Sequence, residues 1–90
     1  MGCVRRRVVA GGRVQGVFFR DATRREAERR GVAGSATNAP DGTVECVFEG
    51  DEDAVEAMLA FVRGGPGHAS VESVEVTDEE PEGLSGFRTS

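Results

Sequence analysis

The sequence predicts an α+β fold: a ferredoxin-like split β-α-β sandwich, with two helices on one face of an antiparallel sheet. Three observations predict it. Residues 19–30 and 51–63 carry helical patterning, and the strand-like runs around them alternate in character. The two middle runs are joined only by Pro40-Asp41-Gly42, a turn in which proline presets φ and glycine takes the left-handed position. The resulting order, strand-helix-strand-strand-helix-strand, is that of the split βαβ unit.

Residues 4–10 form the first expected strand, with Val8 and Ala10 toward the core and Arg5, Arg7 and Val9 on the other face. Arg5 and Arg7 are expected to face Glu45 and Glu49 across strands. The triplet Arg5-Arg6-Arg7 is too short for a nucleic-acid tail. Residues 19–30 follow as a weakly apolar helix whose inward stripe is Phe19, Thr23 and Ala27, with Ala22 beside it. Asp21 is expected in its first turn, where it complements the dipole. Glu26 and Arg30 pair at i,i+4, and Gly31 supplies the C′ position. Residues 34–39 and 43–49 make the hairpin, with Val44, Cys46 and Phe48 on one face and Glu45, Val47 and Glu49 on the other.

Residues 51–63 carry the clearest helical pattern: Val55, Met58, Leu59 and Val62 fall at i, i+3, i+4 and i+7, behind acidic Asp51, Glu52 and Asp53. Met58 reads as core filler. Glycines and Pro66 end this helix, and His68 in that loop receives no role. Residues 71–76 are the fourth strand, and 77–82 an acidic, solvated connector. After a loop at 83–86, residues 87–89 make a short terminal strand anchored by Phe87.

With 90 residues the chain is expected to be one domain, 1–90, with a single core and no room for a large buried cofactor. Its longest apolar run, six residues from Ala57 to Val62, is far short of a membrane span, so no membrane partner is expected and the cytoplasm is the default location. Cys3 and Cys46 are widely separated and only one histidine is present, so neither a metal nor a cofactor is expected; both cysteines are read as free thiols. The net charge of −5 divides unevenly: residues 1–38 carry +6 and residues 39–90 carry −11. The basic half suits a small acidic substrate.

That half contains Gly12-Arg13-Val14-Gln15-Gly16-Val17-Phe18-Phe19-Arg20, between the first strand and the first helix. Amide groups converging at a helix start form an anion site, and an arginine there adds a planar fork of donors that matches phosphate oxygens. On spacing alone two readings stay open: a phosphate cradle, and an ordinary turn with a surface arginine.

This loop is one of several stretches in which the chain resembles the acylphosphatases. The others are Gly34-Ser35-Ala36-Thr37-Asn38, then Pro40-Asp41-Gly42-Thr43-Val44 and Gly50, and the ending Gly83-Leu84-Ser85-Gly86-Phe87. The resemblance covers nearly the whole chain. It implies metal-independent hydrolysis of small acyl phosphates to a carboxylate and inorganic phosphate, with no cofactor. It further implies that Arg20 binds the phosphate and that Asn38 orients the attacking water. Backbone amides of Gln15, Gly16, Val17, Phe18 and Phe19 are the expected partners of Arg20 around the phosphate. Inorganic phosphate is then both product and inhibitor, and a monomer is the expected state. Where the family commonly has a bulky residue, a basic residue and an aliphatic one, this chain has Ala36, Thr37 and Arg30, which points to an altered KM and lower stability.

Other functions fit less well. A non-catalytic anion- or nucleotide-binding module does not need Asn38. An RNA-recognition module needs stacking aromatics, and there is no Trp or Tyr. A copper chaperone needs a CxxC pair, and a P-loop needs a lysine, which the chain lacks.

Overall fold

The computed structural model describes residues 2–66 and 69–90, Val17 by its backbone alone; His68 lies outside the described residues. The elements are β1 (Cys3–Arg13), α1 (Val17–Arg30), β2 (Ala33–Asn38), β3 (Val44–Asp51), α2 (Glu52–Arg63), β4 (Ser70–Glu79) and β5 (Phe87–Thr89). They form a five-stranded sheet in the order β4-β1-β3-β2-β5. The first four strands are antiparallel to their neighbours, as expected, while β5 runs parallel to β2. The sheet is therefore mixed rather than wholly antiparallel.

The core lies between the helices and one sheet face. Val8, Ala10, Val44, Cys46 and Phe48 supply the sheet side, and Val55, Met58, Leu59 and Val62 the α2 side, all buried. From α1 come Phe19 and Ala27, with Thr23 also buried between them. Burying such a side chain contributes roughly 1.5–3 kcal/mol for a Val, Leu, Phe or Met. The ring of Phe87 stacks on Phe48 with centroids 6.0 Å apart, so the short β5 is held by an aromatic contact as well as by its ladder. Cys46 is buried, and desolvation pushes its thiol up to about 12, so it is a packing residue and not a nucleophile. Cys3 pairs with Asp51 and Cys46 with Val8, five rungs apart on the same ladder, and both thiols are free.

Three local expectations are corrected. The first helix begins at Val17, so Asp21 lies past its first turn; its carboxylate binds Arg24 at 2.6 Å instead of facing the dipole. Residues Thr77–Glu79, expected within an acidic connector, belong to a strand. They extend β4 and pair with Arg7, Arg6 and Arg5, with Glu79 bridging the Nε atoms of Arg5 (2.9 Å) and Arg7 (2.7 Å). The far face of the sheet is also covered, since Val47 and Glu49 are buried.

The covering comes from residues 80–86. They leave β4 at one edge of the sheet and must reach β5 at the other, four strand spacings away, roughly 19 Å at ~4.8 Å each. Seven residues reach at most ~25 Å when extended, so the segment crosses the face almost directly. Glu49 stands on β3, the central strand, and its carboxylate accepts hydrogen bonds from the amides of Glu82 (2.9 Å), Gly83 (2.8 Å) and Leu84 (2.9 Å). Arg5 donates to the same carboxylate at 3.3 Å, as its cross-strand position predicts, and Arg7 bonds Glu45. At the end of the crossing the Gly34 amide donates to the Gly86 carbonyl at 3.0 Å. Gly34 has φ 143°, and a Cβ there would sit 1.7 Å from the Val47 carbonyl oxygen, so only glycine fits.

Candidate active site

The expected anion loop lies at the end of β1 where that strand meets α1. β1 carries a register shift between Gly11 and Gly12 against β4. At Gly12 φ is 119° and a Cβ would meet the Ser70 carbonyl oxygen at 2.3 Å, so this glycine lets the bulged strand stay against β4 while the chain swings out. Val14 is buried and fixes the loop to the core. Gly16 is the N-cap of α1, with φ 108° and no side-chain cap. Helix geometry leaves first-turn amides such as those of Gly16, Val17 and Phe19 without intrahelical acceptors, aimed out of the helix end. Phe19 is buried in the core while Phe18 is 54% exposed beside the loop.

Arg20 is the fourth residue of α1. Its Nε is 3.4 Å from the Gly16 carbonyl, which folds the side chain back over the loop. The chain has eleven arginines. Arg5, Arg6, Arg7, Arg24, Arg25, Arg29 and Arg30 all form ion pairs with carboxylates. Arg20 has no carboxylate partner among the described residues, although its neighbours on α1 are paired with Asp21, Glu26 and Glu28. The guanidinium thus keeps its charge and most of its donors for a ligand.

Asn38 is the last residue of β2 and pairs with Val44 on β3. Its backbone amide donates to the Ser90 carbonyl at 3.2 Å, and the Ser90 amide returns a bond to Ala36 at 3.1 Å. Thr37, where the sequence suggested a lost basic residue, shares a 2.9 Å hydroxyl contact with Ser90. The end of the chain therefore fixes β2 on both sides of Thr37. The side-chain oxygen Oδ1 of Asn38 is buried and accepts no hydrogen bond among the described residues.

The loop and the hairpin are joined by Gln15. Its side-chain amide donates to the carbonyls of Ala39 (2.6 Å) and Thr43 (3.1 Å), the residues that frame the turn after Asn38. Asp41 rigidifies the same turn by accepting from the Thr43 amide (3.0 Å) and hydroxyl (2.6 Å), which holds its carboxyl below the usual range. Gln15 was expected to serve through its backbone; its side chain acts as the tie between the two halves of the site. Arg13, given no role from the sequence, lines a cleft of about 620 Å³ with Gln15, Phe18, Phe19, Gly42 and Ala69. Arg20, next in α1 after the lining residue Phe19, and Asn38, at the end of β2, do not line that cleft.

Among the described residues no group of three His, Cys, Asp or Glu side chains gathers to hold a metal ion. No helix there is long and apolar enough to cross a membrane.

Comparison with known proteins shows which family and fold the chain shares. The family described as Acylphosphatase matches residues 6–89. An acylphosphatase of Rubrobacter xylanophilus is 57% identical over 83 residues, 90% of this chain and 74% of the relative. One of Gloeobacter violaceus is 54% identical over 84 residues, 93% of this chain and 90% of the relative. The crystal structure of acylphosphatase from Bacillus subtilis superposes with a TM-score of 0.91 at 35% identity, covering 97% of this chain and 98% of that one.

Proposed function

The chain belongs to the acylphosphatase family, and on that premise we propose that it hydrolyses small acyl phosphates without a metal, with Arg20 and the amides of Gln15 through Phe19 holding the phosphoryl group and Asn38 orienting the attacking water. The observation that carries this reading is the state of Arg20: a cation without a carboxylate partner among the described residues, set over a helix start in a chain that pairs most of its arginines.

The chemistry asks little more. An acyl phosphate leaves as a carboxylate, a weak base, so strong acid catalysis is unnecessary. The barrier is lowered by spreading the charge of the phosphoryl oxygens over fixed donors and by placing water in line with the leaving group. Arg20 supplies a bidentate fork and the helix-start amides supply dipoles that need no reorganisation. The amide of Asn38 can donate and accept, so it can hold a water in one orientation. The water's proton passes to a phosphoryl oxygen of the substrate, since no side chain at the loop among the described residues is an evident base.

An RNA-binding reading gains no support. The sheet face such modules leave open is crossed here by residues 80–86, and Phe48 and Phe87 are buried.

The test is turnover of benzoyl phosphate by the purified protein in excess EDTA, with inorganic phosphate as competitor. Turnover that persists under chelation and competitive inhibition by phosphate are expected. Loss of activity in EDTA with recovery on adding a divalent ion overturns the metal-free mechanism. Binding of phosphate without turnover leaves only an anion-binding module.

A further inference from the structure

We propose that the cleft beside the loop seats the acyl part of the substrate and that Arg13 selects acyl groups carrying a second negative charge. The inference rests on the phosphate reading of the loop given above. Arg13 and Arg20 flank residues 14–19 at either end, and neither has a carboxylate partner among the described residues. Arg20 faces the helix start; Arg13, exposed at the end of β1, lines the cleft instead. At about 620 Å³ the cleft is much larger than one phosphoryl group and falls in the range of small-molecule sites.

Its walls indicate what it takes. Phe18 and Phe19 belong to both the loop and the cleft, so a group joined to a phosphate on the loop amides extends directly into it. Phe18 offers a 54% exposed ring, a surface for a short carbon chain or a flat acyl group. Gly42 and Ala69, which also line the cleft, carry no bulk and no charge. Arg13 is the one charged side chain among the described lining residues, and it is positive. In a molecule of net charge −5 a local cation that no acid neutralises offsets long-range repulsion of a dianionic acyl phosphate.

Binding of two non-hydrolysable analogues tests this without relying on turnover: acetylphosphonate, and succinylphosphonate, which adds a terminal carboxylate. Titration calorimetry is expected to give about fivefold tighter binding of succinylphosphonate at low salt, within the range of a partly exposed charge-assisted pair. Arg13→Gln is expected to abolish that preference, and Arg13→Glu to reverse it, with thermal unfolding as a check on folding. If wild-type protein binds both analogues equally, or the preference survives Arg13→Gln, the acyl subsite is overturned while the phosphate site stands. If Arg20→Ala leaves the affinity for both analogues unchanged, the phosphate reading itself fails and this inference falls with it.

Discussion

The side-chain amide of Gln15 bridges the two halves of the site, donating at 2.6 Å to the carbonyl of Ala39 and at 3.1 Å to that of Thr43, 24 and 28 residues away. Nothing else among the described hydrogen bonds ties the loop to the hairpin turn. Gln15→Ala is expected to lower stability by only about 1 kcal/mol, since the bonds are exposed and net values are small. Its effect on kcat/KM is expected to be larger, about tenfold, because an amide cradle and a water-orienting side chain that drift apart lose their geometry together. Thermal melts and steady-state kinetics on the same variant check this. Equal and small losses in both would reduce Gln15 to a surface contact.

Arg20→Lys is expected to behave almost like Arg20→Ala. A lysine keeps the charge and loses the fork, and its longer, freer stem does not settle over the Gly16 carbonyl. A loss of about 2–4 kcal/mol in transition-state stabilisation is the scale for one fixed donor. Fold stability should change little, because Arg20 has no ion pair to lose among the described residues. Near wild-type kcat/KM for Arg20→Lys would refute the bidentate role.

The crossing segment gives the protein an acid-sensitive joint. Backbone amides of residues 82–84 hold the Glu49 carboxyl below its ordinary value, with Arg5 adding to the effect. A depressed folded-state pKa contributes stability that is complete above the unfolded value of ~4.3 and is lost as pH falls through the folded value. Stability should therefore decline below about pH 4.3. Glu79, Glu26, Asp21 and Asp41 are depressed too, by arginines or by Thr43, so they contribute to the same decline. Glu49→Gln is expected to cost roughly 1–3 kcal/mol at neutral pH, as three amides and Arg5 lose a charged acceptor, and to flatten the acid limb without removing it. Urea unfolding at a series of pH values measures both. An unchanged pH slope would mean Glu49 ionises alike in the folded and unfolded chain.

The sequence made the helices, hairpin and loop legible because each rests on local chemistry. The α2 stripe Val55, Met58, Leu59 and Val62 is buried as its spacing demands, and Gly31 takes the left-handed C-cap. What stayed hidden depends on chain crossings. Glu49 alternates as a solvent-facing residue should, and only the route of residues 80–86 buries it. The run from Thr77 to Glu79 looks solvated until Arg5, Arg6 and Arg7 are placed opposite. The parallel pairing of β5 follows from that same crossing. At the site, the motif pointed to Arg20 and Asn38 through resemblance, but Arg13 carried no local signal; its place in the cleft depends on Gly42, from the hairpin turn, and Ala69, just before β4.

The proposed role of Asn38 separates from its structural one. Its backbone is held by Ser90 and by the ladder to β3, through main-chain atoms that survive truncation of the side chain. The side-chain Oδ1 is buried with no acceptor role filled among the described residues, so removing it breaks no hydrogen bond among them. Asn38→Ala should therefore fold with little change in Tm. If the amide holds the attacking water, its bond matters most as the oxygen attacks, whereas ground-state phosphate remains on Arg20 and the loop amides. The expected pattern is a large fall in kcat, about 2–3 kcal/mol in activation free energy on the scale of a single preorganised donor, with the inhibition constant for inorganic phosphate changed less than about threefold. Asn38→Asp provides the second arm: it keeps an acceptor but adds a charge beside the phosphoryl oxygens, so it should weaken phosphate binding as well as turnover. Near-normal kcat in Asn38→Ala would assign the residue to the turn before Pro40, and the attacking water would need another host.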